Sequence, residues 1–401
     1  MTARRQVHYP LPQPGPGDKH VIIGIPKESF PGERRVALVP AAIAPLIKAG
    51  NTVLIEPGAG LEAGCPDAAY TEKGAQLTVR SELFARAELV AMVHGPGGNP
   101  RGADDLALLR EGQAVVGFLD PLADTDAMRA LAARGVTALA MEMVPRITRA
   151  QSMDALSSMA TVSGYLAVLR AASVLPKFFP KFMTAAGSIA PSKIFVLGAG
   201  VAGLQAISVA RRLGGVVLAN DTRPAVKEQV MSLGAKFVEV PVDAGDAQDA
   251  GGYAKAQSDD FYRRQRELMS DTIKGCDVVI TTAAVPGRKS PVLVTREMVE
   301  RMAPGSVIVD LAAEKGGNCE LTRAGEIVVH NGVTILGPVN LPSELPVHAS
   351  QMYSKNIQTL LGHFVKDGVL TLDFDDDITK GTVVTYGGAI VHPAVAQAAQ
   401  A

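Results

Sequence analysis

A strand, a glycine turn, a helix and a second strand ending on a carboxylate follow one another from Val196 to Asp221, and few folds accept that order. The residues are Val196-Leu197-Gly198-Ala199-Gly200-Val201-Ala202-Gly203, then Leu204-Gln205-Ala206-Ile207, then Val216-Val217-Leu218-Ala219-Asn220-Asp221. The apolar run Ile194 to Leu197 suits a parallel strand buried on both faces. Gly198 permits a tight turn, Gly200 lets the backbone approach a pyrophosphate, and Gly203 lets the helix pack closely on the strand. A helix from about Val201 to Leu213, with Val201 and Ala202 in its first turn, turns free N–H groups and a positive dipole end toward phosphates. Asp221 lies eighteen residues after Gly203, where a carboxylate accepts hydrogen bonds from adenosine ribose hydroxyls and repels a 2′-phosphate. NAD(H) is therefore expected over NADP(H). Thr222 and Arg223 follow directly, and the arginine weakens that preference because it can accommodate the extra phosphate.

Bulk properties narrow the class further. A chain of 401 residues exceeds one typical core, so two domains are expected. With 39 Lys plus Arg against 40 Asp plus Glu there is no basic footprint for nucleic acid. Cys65, Cys276 and Cys319 are odd in number and widely spaced, which implies a reduced cytosolic setting without disulfides or a zinc site. The seven histidines show no ligand spacing, and no metal is expected. Residues 1–20, rich in proline and glycine after Tyr9, read as a loosely ordered extension without the apolar stretch of a signal peptide. No segment reaches eighteen apolar residues, and the seventeen-residue uncharged run Ile194 to Ala210 is already explained as strand, turn and helix, so no membrane span is expected.

Along the chain, strands are expected at Val21–Ile25, Thr52–Ile55, Leu89–Val93, Ala114–Phe118 and Thr137–Met141, with helices such as Ala41–Ala49 and Asp124–Ala133 between them. A helix at Ala155–Leu169 joins this region to a second set of strands at Ile194–Leu197, Val216–Asn220, Phe237–Val240, Val278–Thr281, Val307–Asp310 and Val333–Leu336. A further helix, about Ala349 to Val365, a strand-like Leu370–Leu372 and an acidic run Asp373 to Asp377 follow. The acidic run reads as a solvated turn, since it lacks calcium-loop spacing. The expected fold is α/β: two Rossmann-like, doubly wound parallel-sheet domains separated by a cleft. The first, discontinuous, comprises 21–155 and 346–401, and the second, 156–345, binds the nucleotide. The loop Pro241 to Lys255 reads equally as a functional lid or as a segment without fixed structure.

The segment Pro145-Arg146-Ile147-Thr148-Arg149-Ala150-Gln151-Ser152-Met153-Asp154, continuing to Ser157-Ser158, has two readings on its own terms. Ser152 and Asp154 are ordinary helix-capping residues, and the arginines, glutamine and hydroxyls are also binding groups. The segment closely resembles a loop of the NAD(H)-binding component, domain I, of proton-translocating nicotinamide nucleotide transhydrogenase. So do Gly24-Ile25-Pro26-Lys27-Glu28 with Glu33-Arg34-Arg35-Val36-Ala37, the glycine fingerprint, Asp221-Thr222-Arg223-Pro224, Gly252-Tyr253-Ala254-Lys255 and Gly316-Gly317-Asn318-Cys319. The likeness runs from about Val21 to Pro393.

The resemblance implies hydride transfer from NADH, bound on this chain, to NADP⁺ bound on a separate partner component, coupled to proton translocation by a transmembrane component. It implies that Arg146, Gln151, Asp154 and Ser157 reach the nicotinamide and its ribose, Arg146 and Asp154 orienting the carboxamide and Gln151 near the partner's nucleotide. Thr282 and Ala283 join Gly198, Gly200, Gly203 and Asp221 in holding the nucleotide, and Tyr253 lies on a mobile loop that closes over it. A homodimer is implied, peripheral on the cytoplasmic face of the inner membrane through its partner subunits. Fused relatives continue into transmembrane helices, so a chain ending at Ala401 is expected to take those components from other chains unless it is a piece of a longer protein. The related alanine dehydrogenases are the alternative. They use a lysine and a histidine on the first domain, where this sequence reads Met92-Val93-His94-Gly95-Pro96 and Gly117-Phe118-Leu119-Asp120-Pro121, with only Arg35 at the substrate-binding arginine position. His94 as a substitute base is set against a partly exposed strand-end histidine. A non-catalytic NAD(H)-binding module would keep the glycines and Asp221 but would not need Arg146 to Ser157.

Overall fold

The structure, a computed structural model, describes residues 20–239, 259–284, 287 and 289–400. Within them the chain divides into two compact units, with breaks after Ser158 and after Pro342. In the first unit the strands are β1 (Ile22–Ile25), β2 (Thr52–Ile55), β3 (Gln76–Leu77), β4 (Leu89–His94), β5 (Ala114–Phe118) and β6 (Thr137–Ala140). They run parallel in the order β6-β5-β4-β1-β2-β3. Leu89 to Val93 and Ala114 to Gly117 are buried without alternation, as strands covered by helices on both faces must be.

The second unit begins at Met159, inside the helix Ala155–Val174, and its first strands form a hairpin of β7 (Phe182–Thr184) and β8 (Gly187–Ile189). Its main sheet contains β9 (Lys193–Leu197), β10 (Val216–Asn220), β11 (Lys236–Phe237), β12 (Val278–Thr281), β13 (Val307–Asp310), β14 (Ile327–His330) and β15 (Val333–Leu336). Their order is β11-β10-β9-β12-β13-β15-β14, parallel except for β14. Ile194, Val196, Val278, Ile280, Val307 and Val309 pack on one face with Ala206, Ile207 and Ala210 of the helix Val201–Arg212. Phe195, Leu197, Val279 and Ile308 pack on the other with Met269, Ile273 and Met298. Successive side chains thus meet apolar layers on both sides, which is what doubly wound means at residue level.

After Pro342 the chain forms the helix Pro346–Phe364 and a small hairpin of β16 (Val365–Lys366) and β17 (Val369–Leu370). Then β18 (Val383–Tyr386) pairs antiparallel with β6, and β19 (Ala389–Ile390) pairs with β18. The first domain is therefore discontinuous. Some details differ from the sequence expectation. The helix Ala155–Val174 continues past Arg170, because a charge ends an apolar run without ending a helix; Pro176 follows its terminus. The strand expected at Phe237–Val240 is only Lys236–Phe237, with Val240 outside the described residues. Leu370 belongs to β17 and Leu372 does not. The pattern also gives no sign of β14, whose Ile327 and Val329 are exposed on an edge strand. Among the described residues, no helix is long and apolar enough to cross a membrane.

Candidate functional site

In the second sheet β9 is flanked by β10 on one side and β12 on the other, so the winding direction reverses between β9 and β12. In doubly wound sheets ligands bind outside the carboxyl ends of strands at such a point. The glycine turn lies at the end of β9. Gly198 has φ +95°, a conformation that L side chains rarely adopt, and a Cβ on Gly203 would lie 1.9 Å from the Gly198 carbonyl oxygen. Gly200 is different. Its φ is −73°, ordinary for any residue, and nothing in the protein lies within 4 Å of where its Cβ would be. The space above Gly200 is open, which fits a backbone that a phosphate must approach. Val201 and Ala202 open the helix, and Val201 is exposed.

Across the turn, Thr282 follows β12 and its hydroxyl donates to the carbonyls of Gly198 (3.1 Å) and Leu197 (3.3 Å). Ala283 is gripped from both sides: its N–H donates to Asn318 Oδ1 (2.9 Å) and its carbonyl accepts from Asn318 Nδ2 (2.8 Å). Asn318 is in turn held by Asp310, fully buried at the end of β13, which accepts from the N–H groups of Asn318 (2.7 Å) and Cys319 (2.9 Å) and from the Thr281 and Thr322 hydroxyls. The Gly316-Gly317-Asn318-Cys319 motif is therefore the support of the Thr282–Ala283 loop. Sequence reasoning missed Asp310 and this use of Asn318. A carboxylate ending a buried apolar strand was the available signal.

Asp221 belongs to the same cluster, its Oδ2 accepting from the Ala199 N–H (2.7 Å). Its side chain is only 7% exposed and is engaged by the residue two positions on. Arg223 donates its backbone N–H and its Nε to Oδ1 (2.9 Å each) and its Nη2 to Oδ2 (2.9 Å). Tyr253 lies outside the described residues.

In the first unit, residues Thr148–Met153 form a turn of 3₁₀ helix that leads into the helix Ala155–Val174. Asp154 caps that helix, accepting from the Ser157 N–H (2.8 Å) and from its hydroxyl (2.7 Å). The capping reading made for Ser152 and Asp154 thus holds for Asp154, which binds Ser157, whereas Arg146, Gln151 and Ser152 are exposed. The turn is anchored on either side of Gln151. Asn356 Nδ2 donates to the Ser152 carbonyl (2.9 Å), and Arg149 pairs with Asp376. Asp376 also binds His363 (2.9 Å) and caps the helix Asp377–Thr382. Burial opposes its charge, but Arg149 and His363 hold its carboxyl down at about 2. The acidic run is thus only partly the solvated turn its composition suggests, since Asp376 is an anchor.

The switch point of the first sheet lies at the ends of β1 and β4, and a polar cluster fills it. Arg35, 3% exposed, is paired to Glu33 through Nε (2.7 Å) and Nη2 (2.6 Å). His94 Nε2 lies 3.0 Å from Glu33 Oε2, and the ring stacks on Phe30. Burial works against Glu33, but Arg35 and His94 hold its carboxyl well below the usual carboxylate range. Glu28, accepting from the Val93 and His94 N–H groups, is pushed by burial up to about 8. Glu142, beneath Leu119 and Asp120, is pushed by burial up to about 7. His94 is thus a partly exposed strand-end residue, as expected, and is also held in the Glu33–Arg35 cluster.

These two raised carboxyls set a pH dependence. Both hold a proton in the folded chain that the unfolded chain releases near 4.5, so their contribution to stability is complete below about 4.5 and is lost as pH rises toward about 8. The melting temperature of the full chain is expected to fall between pH 5 and 8, and Glu28→Gln with Glu142→Gln to flatten that fall. Thermal melts across the range check it; an unchanged slope in the double variant counts against it.

Comparisons with known proteins fit this layout. Residues 24–163 match the model described as alanine dehydrogenase/PNT, N-terminal domain, and residues 167–393 the corresponding C-terminal domain. The chain is 46% identical over 377 residues to the Rhodospirillum rubrum protein named as the first portion of NAD(P) transhydrogenase subunit alpha, covering 93% of this chain and 98% of that one. It aligns with the crystal structure of transhydrogenase from Sinorhizobium meliloti at TM-score 0.80 and 43% identity, over 93% of this chain and 99% of that one. The alanine dehydrogenase of Bacillus subtilis is a more distant relative, 29% identical over 94% of each chain.

Proposed function

The chain belongs to the alanine dehydrogenase/PNT family, and from that premise we propose that it is the NAD(H)-binding subunit of a proton-translocating NAD(P) transhydrogenase. Bound NADH supplies the hydride, which passes to NADP⁺ on a partner component while a membrane component couples proton translocation. The observation that carries this reading over an alanine dehydrogenase is the pairing of Arg35 with Glu33. A 2-oxo acid needs a cation to meet its carboxylate, and here the chain's own carboxylate is buried against that guanidinium. The position of the dehydrogenase lysine is His94, locked in the same cluster.

In this reading Gly200, Val201 and Ala202 offer the pyrophosphate backbone N–H groups at the open face of the turn, which Gly198 and Gly203 shape. Thr282 and Ala283 form the opposing wall, and Asp221 takes the adenosine ribose. Arg146 orients the carboxamide, Asp154 and Ser157 fix the start of their helix, and Gln151 stands exposed on a turn anchored beside it. No side chain has to ionise during the transfer. Catalysis is mostly the holding of two nicotinamide rings together with water excluded. The test is NADH oxidation by the full chain in two mixtures, one with an NADP⁺-loaded partner component and one with pyruvate and ammonium. Oxidation only in the first supports the proposal; oxidation only in the second overturns it.

A second copy of the chain is the proposed partner at the hairpin of β7 and β8, consistent with a homodimer. Phe178, Phe182, Met183 and Ile189 are exposed there at 54, 40, 78 and 42%. An isolated two-stranded ribbon is marginal in water, and an apolar patch of this kind is usually covered. Met183→Asp combined with Ile189→Asp is expected to convert a dimer to a monomer by light scattering. A dimeric mass retained in that variant would place the interface elsewhere.

A further inference from the structure

Asp221 is the acceptor that the nucleotide reading assigns to the ribose, and in this structure its acceptor positions are already occupied. Two are held by backbone N–H groups, of Ala199 and Arg223. The other two face the Arg223 guanidinium, with Nε on one oxygen and Nη2 on the other. This is the fork geometry of a side-on arginine–carboxylate pair, one donor to each oxygen. The cis-diol of a ribose also offers one O–H to each oxygen. Guanidinium and diol therefore compete for the same edge of one carboxylate, and the backbone donors leave no other edge vacant. Both side chains are largely buried, 16% exposed for Arg223 and 7% for Asp221, so the pair is not a transient surface contact.

We propose that Arg223 is an internal competitor for the ribose: it occupies the diol position on Asp221 and must swing away for a dinucleotide to bind. The inference rests on the nucleotide-site reading above. It makes Arg223 a specificity-determining residue with two effects. Displacing it lowers the affinity for NADH, which favours rapid exchange of oxidised for reduced nucleotide. Once displaced, the guanidinium remains tethered beside the 2′ position, where it offsets the repulsion between Asp221 and a 2′-phosphate. The carboxylate alone would exclude NADP(H) more strictly than the pair does.

The experiment measures dissociation constants of NADH and NADPH by nucleotide fluorescence and calorimetry, on the full chain without partner components. Arg223→Ala is expected to bind NADH about five- to tenfold more tightly, since no ion pair has to be opened. The NADPH-to-NADH ratio of dissociation constants should widen by about tenfold or more, because the phosphate now meets an uncompensated carboxylate. Arg223→Gln, which keeps a donor without the charge, should fall between, and it decides the matter if the alanine variant fails to fold. Unchanged or weaker NADH binding in folded variants overturns the role of Arg223 while leaving the nucleotide site intact. Absence of NADH binding by the parent chain overturns the nucleotide reading itself, and this inference with it.

Discussion

Gly200→Ala is expected to fold like the parent chain and to lose its dinucleotide. The backbone there has φ −73° and the new methyl group meets no protein atom within 4 Å, so neither strain nor a clash opposes folding. The methyl would instead occupy the space through which a pyrophosphate approaches the turn. Losing two charge-assisted hydrogen bonds costs about 3–6 kcal/mol, a fall in affinity of roughly a hundredfold or more. Gly203→Ala provides the contrast. Its methyl would lie 1.9 Å from the Gly198 carbonyl oxygen, a backbone atom that cannot move without breaking the turn. That variant should lose both melting temperature and binding. Thermal melts and NADH titrations on the two variants separate ligand space from packing space. Full affinity in a folded Gly200→Ala chain would remove the glycine turn from the binding site.

Gln151→Asn should slow hydride transfer while leaving NADH affinity nearly unchanged. The side chain is exposed on a 3₁₀ turn anchored beside it by Arg149–Asp376 and by Asn356 on the Ser152 carbonyl. Such anchoring fixes a backbone position and leaves the reach of the side chain to its length. Removing one methylene withdraws the amide by roughly 1 Å, and misplacement on that scale costs on the order of ten- to a hundredfold in rate when catalysis is positioning. Single-turnover rates with an NADP⁺-loaded partner, beside NADH dissociation constants, distinguish the two quantities. If binding and rate fall together, Gln151 supports the loop instead of the transfer.

The two wound sheets were legible because both periodicity and turn chemistry point the same way. β2, β5, β10, β12, β13 and β15 lie where their apolar runs end in polar or glycine residues. The return of the chain to the first sheet was harder to read. β18 and β19 are short, and the β6 strand that β18 joins lies more than two hundred residues earlier, a pairing that local pattern cannot carry. At the site, the role of each glycine could be derived from turn geometry, whereas the partners of the charged residues could not. Asp221 with Arg223, Glu33 with Arg35 and Asp376 with Arg149 each look like unspent binding groups in sequence and are ion pairs in the fold. A carboxylate's partner depends on which elements converge on it, and that is decided by tertiary structure.

As proposed, this chain holds NADH and passes its hydride directly to NADP⁺ on another component. NADH carrying deuterium on the transferred C4 position, mixed with the full chain and an NADP⁺-loaded partner in ordinary water, tests it most directly. The deuterium is expected at C4 of NADPH. Deuterium washed into solvent, or found in alanine when pyruvate and ammonium are present while NADPH carries none, would contradict it.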